Sequence, residues 1–191
     1  MIESVCVFCG SRQGGDDRYL EAAGRFGELA ARAGLEVIYG GGRVGLMGAV
    51  ADAAVHEGGR VTGFIPIRLL SREVAHDGIS DLVVTDGMFD RKAEMIARAD
   101  AFVILPGGLG TLDELLEVIT LRQLGYHDKP ILLVDVGGYW EPFVALVEHV
   151  VACAFAGPTA AGLFELVDGV EAALARLLEP TVRQEAAVAA S

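Results

Sequence analysis

Lysine is almost missing from this chain. Of 191 residues only Lys92 and Lys129 carry an ε-amine, so chemistry that starts from a Schiff base has two places to begin. Basic residues are outnumbered 15 to 27, for a formal charge of −12, and no Lys/Arg cluster breaks the acidic surface. A nucleic acid partner is not expected, because such a surface repels a polyanion. A mononucleotide is a different case. Screening acts over about 8 Å at physiological salt, so a local cradle of amides and one or two arginines outweighs a distant negative surface. Long apolar runs are also lacking: no stretch reaches the roughly 18 residues of a membrane span, and no basic region precedes an apolar block at the N-terminus. The chain is expected in the cytoplasm, with no membrane partner. Cysteine is limited to Cys6, Cys9 and Cys153, too few for a disulfide framework. Cys6-x-x-Cys9 overlaps a first apparent strand and has no matching second pair, so it reads as core thiols. The four histidines show no His-x-x-x-His spacing. No metal or organic cofactor is expected.

What remains is a globular composition, 52% apolar and 22% charged, of a length that suits one domain. Apolar, β-branched runs at 2–8, 35–39, 60–65, 82–85, 101–105, 130–134 and 163–167 read as strands. Helical periodicity fills 17–32, 86–98, 110–124, 140–150 and 170–178, with Asp16 or Asp17 capping the first of these and Gly34 ending it. An irregular or short helical excursion covers 66–76. Strand and helix alternate, so right-handed crossovers predict an α/β fold. It is a Rossmann-like, doubly wound sheet of about seven mainly parallel strands with helices on both faces. Residues 1–180 form one nucleotide-binding domain and 181–191 a mobile tail.

Ligands of such sheets bind beyond the carboxyl ends of the strands, and two glycine-rich strand-to-helix turns fall on that edge. In the first, Gly40, Gly42 and Gly45 formally satisfy Gly-x-Gly-x-x-Gly. The turn follows the second strand, however, and no acidic residue ends the next strand to hold a ribose, so the dinucleotide reading is weak. For Gly41 and Gly42, tight packing and direct phosphate contact stay equally open. In the second, strand 101–105 breaks at Pro106 into Gly107-Gly108-Leu109-Gly110-Thr111-Leu112-Asp113-Glu114. Glycines that take positive φ would let backbone amides approach an anion where a helix begins. Thr111 adds a hydroxyl, and of the adjacent Asp113 and Glu114 only one readily faces a ligand. A carboxylate one turn from a phosphate suits N-glycosidic hydrolysis, where C1′ gains oxocarbenium character. Arg91, at a helix start disfavoured by the macrodipole, could grip the phosphate, the ribose or Glu114 through its planar fork.

Pro-Gly-Gly-x-Gly-Thr-x-x-Glu at 106–114, with Tyr39-Gly40-Gly41-Gly42 and Gly45-Leu46-Met47-Gly48, resembles the signature of the Lonely Guy family. Members are cytokinin riboside 5′-monophosphate phosphoribohydrolases, often mislabelled lysine decarboxylases, and the likeness spans about residues 1–150. The resemblance implies Arg91 and Glu114 as the catalytic pair. It implies substrate contacts at Glu73, Arg91, Lys92, Gly108, Leu109, Gly110, Thr111, Leu112, Asp113, Glu114 and Thr120. Weaker phosphate contacts are expected at Gly10, Ser11, Gly41, Gly42 and Gly107. It further implies a homodimer whose sites are completed near the subunit contact, and a purine riboside 5′-monophosphate, AMP or its N6-prenylated form, as substrate. Two positions depart from the pattern: Phe89 stands where plant-type members read His in Met-His-x-Arg-Lys, and Asp113 replaces a common glutamate. Two other readings are a nucleotide or molybdenum-cofactor carrier of the same fold, and pyridoxal-dependent decarboxylation through Lys92.

Overall fold

The computed structural model describes residues 1–70 and 75–179. Strands β1 (Ser4–Phe8), β2 (Glu36–Tyr39), β3 (Val61–Pro66), β4 (Asp81–Thr85), β5 (Ala101–Ile104), β6 (Ile131–Asp135) and β7 (Glu165–Asp168) form one sheet in the order β4-β3-β2-β1-β5-β6-β7. Every pairing in it is parallel. The expected strands are all present, with ends displaced by a residue or two. The last one differs most from expectation: Leu163 closes a 3-10 turn, and β7 starts at Glu165 as the sheet's edge.

Helices cover both faces. α1 (Asp17–Arg32), α2 (Gly45–His56) and α6 (Gly169–Leu178) lie on one side; α3 (Met88–Arg98), α4 (Leu109–Gln123) and α5 (Glu141–Ala152) lie on the other. Because alternate strand residues point to opposite faces, β1 feeds two cores at once. Val5 and Val7 pack with Phe26 and Val50, while Cys6 and Phe8 pack with Met95, Phe102 and Trp140. This is why Ser4–Phe8 is buried throughout and shows no polar alternation. Asp16, not Asp17, caps α1: its carboxylate accepts the Arg18 amide at 2.9 Å.

The chain reverses direction across the sheet at β1. From there β2, β3 and β4 run one way and β5, β6 and β7 the other, leaving a crevice beyond the carboxyl ends of β1 and β5. These two strands stay joined past their ends, with the Leu105 amide donating to Phe8 O and the Gly10 amide to Pro106 O, both at 3.0 Å. At the opposite end Asp100 fixes the pair, its Oδ2 accepting the amides of Glu3 and Ser4 at 2.9 Å and the Ser4 hydroxyl at 3.0 Å.

The expected excursion after β3 begins with a 3-10 turn at Ile67–Leu69, and Ala75 bridges to Gly42. Arg72 and Glu73 lie outside the described residues, as does the tail assigned to 181–191.

Candidate active site

A cavity of about 560 Å³ occupies the crevice between β1 and β5. Its floor is the loop after β1, from Cys9 to Gly14, and the turn after β5, from Pro106 to Thr111; Arg91 and Glu114 also line it. Gly10, Ser11, Gly107, Gly108, Leu109, Gly110, Thr111, Glu114 and Arg91, expected as site residues from far-apart segments, thus share one cavity.

The turn after β5 is built for close approach. Neither Gly107 nor Gly108 takes positive φ, contrary to the conformation expected of them. Gly107 is needed for space: a Cβ there would stand 2.1 Å from Thr111 Oγ1 and 2.9 Å from the Gly10 amide nitrogen. Gly108 and Gly110 are different, since a Cβ at either meets no protein atom within 4 Å. What their missing side chains leave open is the cavity itself. No side chain caps α4 at Gly108, so by helix geometry the first-turn amides of Leu109, Gly110 and Thr111 have no partner within the helix. An anion here meets those donors at the positive end of the helix dipole. Tyr139 holds the turn from behind, its hydroxyl donating to Gly107 O, and it packs edge-on against Tyr19, another lining residue.

The glycine turn after β2 has a separate task. The first amides of α2, at Leu46 and Met47, donate to Gly10 O at 2.9 and 3.3 Å, so the protein's own carbonyl occupies that helix start. Gly45, at φ +63, presses on the loop after β1, where a Cβ would sit 2.4 Å from the Ser11 carbonyl carbon. Gly41 O accepts the His76 amide, and Gly41 and Gly42 both lie outside the cavity lining. Of the two readings left open for them, the geometry supports packing.

Gly40 shows what the tight turn is for. A Cβ at Gly40 would stand 1.9 Å from Arg91 Nη2. The arginine is 5% exposed, with Nε donating to Phe64 O at 2.9 Å and Nη2 to Gly40 O at 2.7 Å. Arg91 leaves the first turn of α3, crosses under the carboxyl ends of β3 and β2, and reaches the cavity anchored on two backbone carbonyls. Arg91 is therefore not a solvated charge at a helix start. Nothing in the spacing points to Gly40 as its partner, because the two are 51 positions apart.

Cys9 also lines the cavity, between these charges. Burial first, and then the Glu114 carboxylate, push its thiol above the ordinary cysteine range, with Arg91 opposing. The thiol stays protonated near neutrality and is a poor nucleophile. Both cysteines of the Cys6-x-x-Cys9 pair are buried and free, as expected for core thiols.

Other expected contacts lie elsewhere. Lys92, Asp113 and Thr120 share a separate, shallow groove with Glu117 along α4. Lys92 Nζ stands 3.0 Å from Asp113 and 2.6 Å from Glu117. Burial works against its charge, yet the hydrogen bonds to Glu117 and Asp113 prevail and hold it above the usual lysine value. Leu112 packs toward the core below α4. Lys129, at the amino end of β6, donates to Ile96 O at 2.7 Å. Neither lysine lines the cavity, so no Schiff base would form there. Lining residues that the sequence reading missed include Arg12, Gln13, Gly14, Tyr19 and Tyr139; the first three follow Gly10-Ser11 closely enough for the sequence to have indicated them.

Comparison with known proteins gives the family. Residues 47–177 match a family described as "Possible lysine decarboxylase". Cytokinin riboside 5′-monophosphate phosphoribohydrolase LOG of Oryza sativa subsp. japonica is 47% identical over 152 residues, 79% of this chain and 62% of the rice protein. A cytokinin riboside 5′-monophosphate phosphoribohydrolase of Arabidopsis thaliana is 46% identical over 157 residues, 82% of this chain and 73% of its own length. The chain thus spans somewhat under two thirds of the rice relative. Among solved structures, the molybdenum cofactor carrier protein of Chlamydomonas reinhardtii superposes with a TM-score of 0.71 over 94% of this chain and all of the carrier, at 20% identity, a likeness of fold alone. The chain belongs to the "Possible lysine decarboxylase" family, in its Lonely Guy branch, whose named members are cytokinin riboside 5′-monophosphate phosphoribohydrolases.

Proposed function

We propose that residues 1–180 form one nucleotide-binding domain that hydrolyses the N-glycosidic bond of a purine riboside 5′-monophosphate, releasing free base and ribose 5-phosphate. The observation that carries this reading is the single cavity holding an uncapped helix start, Glu114 one turn further along the same helix, and Arg91 anchored opposite. The phosphate lies against the first turn of α4, which brings C1′ of the ribose toward Glu114. As the C1′–N bond breaks, its electron pair leaves with the base and positive charge develops at C1′. The Glu114 carboxylate stabilises that charge and takes a proton from the incoming water, whose oxygen forms the new bond to C1′; the proton then passes to the departing base. Arg91, fixed by two carbonyls, holds its charge at the cavity wall without reorganisation. The relatives named as phosphoribohydrolases support the same chemistry.

The active form is a homodimer in the cytoplasm. Phe89, Leu109, Leu116 and Leu124 are between 51% and 85% exposed on α3, α4 and the end of α4, beside the groove of Lys92, Asp113 and Thr120. Covering them with a second copy would bring those groove residues to a subunit contact. Three unpaired cysteines fit a reducing compartment, and among the described residues no helix is long and apolar enough to cross a membrane.

Incubating the purified protein with AMP and with its N6-isopentenyl derivative, then separating products, tests the reading. Release of adenine or isopentenyladenine with equimolar ribose 5-phosphate is expected. Both nucleotides recovered intact would refute it, and tight binding without turnover would favour a carrier.

A further inference from the structure

A counter-charge favours phosphate binding in this cavity, and Arg91 is fixed in place, two of its donors being spent on Phe64 O and Gly40 O. The other arginine lining the cavity is Arg12, in the loop after β1, which packs on the turn after β5. We propose that Arg12 is the cation that binds the phosphate, and that it sets the preference for phosphorylated over unphosphorylated nucleosides. The inference rests on the cavity accepting a nucleoside monophosphate.

Three observations carry it. First, the chain has 27 acidic residues against 15 basic ones, so an arginine readily finds a carboxylate. Arg18, Arg25, Arg32, Arg60, Arg98 and Arg176 each do. Among the described residues Arg12 makes no ion pair and its side chain no hydrogen bond, although its loop ends at Asp16 and Asp17. Second, the loop that carries it is tied down. Gly10 is bonded to Pro106 O through its amide and to the start of α2 through its carbonyl, and Gly45 packs against the Ser11–Arg12 peptide with the Arg12 nitrogen 2.5 Å from where a Cβ would be. Third, the loop sits directly on the anion turn: a Cβ at Gly10 would be 3.0 Å from Arg12 O and 3.3 Å from Gly107 Cα. A guanidinium fork carried by a fixed backbone that lies on the anion turn is suited to two phosphate oxygens at once.

The test compares binding of AMP, adenosine and inorganic phosphate by calorimetry in two forms of the protein, Glu114→Gln and Glu114→Gln/Arg12→Ala, with Glu114→Gln/Arg12→Lys as a third. Glu114→Gln removes turnover from the measurement. Arg12→Ala is expected to weaken AMP and phosphate about tenfold to a hundredfold, as for a lost charge-assisted hydrogen bond, and to leave adenosine within about twofold. Arg12→Lys should recover part of the loss, and the AMP affinity of Arg12→Ala should fall less steeply with salt. The inference is overturned if AMP binds equally with and without Arg12, or if adenosine loses as much as AMP, which would make the arginine a shaper of the loop. Should Arg12 prove to bind phosphate while the unsubstituted protein leaves every nucleotide intact, the inference stands and the hydrolase reading alone falls.

Discussion

Gly40→Ala separates the position of Arg91 from the integrity of the fold. Gly40 has no positive φ, so an alanine backbone is unstrained there. The three atoms nearest the new Cβ all belong to side-chain tips, Arg91 Nη2 at 1.9 Å, Met47 Sδ at 3.0 Å and Arg91 Cζ at 3.1 Å. A carbon and a nitrogen in contact need about 3.4 Å, so the guanidinium retreats by about 1.5 Å and gives up its bond to Gly40 O. Losing that charge-assisted bond costs about 1.5–3 kcal/mol, which for a chain of this size lowers Tm by about 3–12 °C. The sheet is untouched, and of the two cores only Met47, at the margin of one, has to shift. For catalysis, a misplacement of this order costs about a hundredfold in kcat. The assay is base release from AMP by chromatography, paired with scanning calorimetry, on Gly40→Ala, Arg91→Ala and the double substitution. The two changes act through one group, so once Arg91 is gone, adding Gly40→Ala should change neither Tm nor rate appreciably. Full turnover in Gly40→Ala despite a lowered Tm would refute the reasoning, because Arg91 would then serve only to satisfy the two carbonyls.

Glu114→Gln keeps size and removes charge, so turnover should fall by about 10²–10⁴ while AMP affinity, measured by calorimetry, changes only a few-fold. Gly108→Ala adds a methyl that meets no protein atom within 4 Å; Tm should hold or rise slightly, yet AMP binding should weaken at least about tenfold if the open space is the phosphate cradle. Asp100 is held below the usual carboxylate range: burial opposes this, but the amides of Glu3 and Ser4 and the Ser4 hydroxyl outweigh it. Its folded value being depressed, its contribution is present above the unfolded value of about pH 4 and is lost as pH falls through the folded one. Asp100→Asn should therefore destabilise at about pH 7 and flatten the acid limb of an unfolding series taken from about pH 6 to pH 2.

Local chemistry made part of this site legible in the sequence and hid the rest. Strands buried on both faces leave uninterrupted apolar runs, and Pro106-Gly107-Gly108 punctuates one of them, so sheet and anion turn could be read locally. The separation of the two glycine turns could not. Both are strand, glycines, helix, but one helix start is closed by Gly10 O and the other stays open, and Gly10 is distant in sequence from each. Arg91 likewise reads as a misplaced surface charge until Gly40 O and Phe64 O are seen to hold it. Lys92 adjoins it in sequence but, one position on along α3, turns about 100° away and meets Asp113 and Glu117 in the groove.

That turn of about 100° bears on how the family's contact residues are shared out. Lys92, Asp113 and Thr120 line a groove along α4 and do not line the cavity of their own chain. If all the contacts implied by the family act on one nucleotide, the cavity supplies the phosphate and ribose contacts, and a groove from a second copy supplies those to the base. Catalysis would then depend on protein concentration in a way that phosphate binding to a single chain does not. Dilution through the dimer dissociation range should lower kcat/KM for AMP faster than it lowers affinity for inorganic phosphate. Loss of neither would place every substrate contact within one subunit, and equal loss of both would make the phosphate contact depend on the second copy as well.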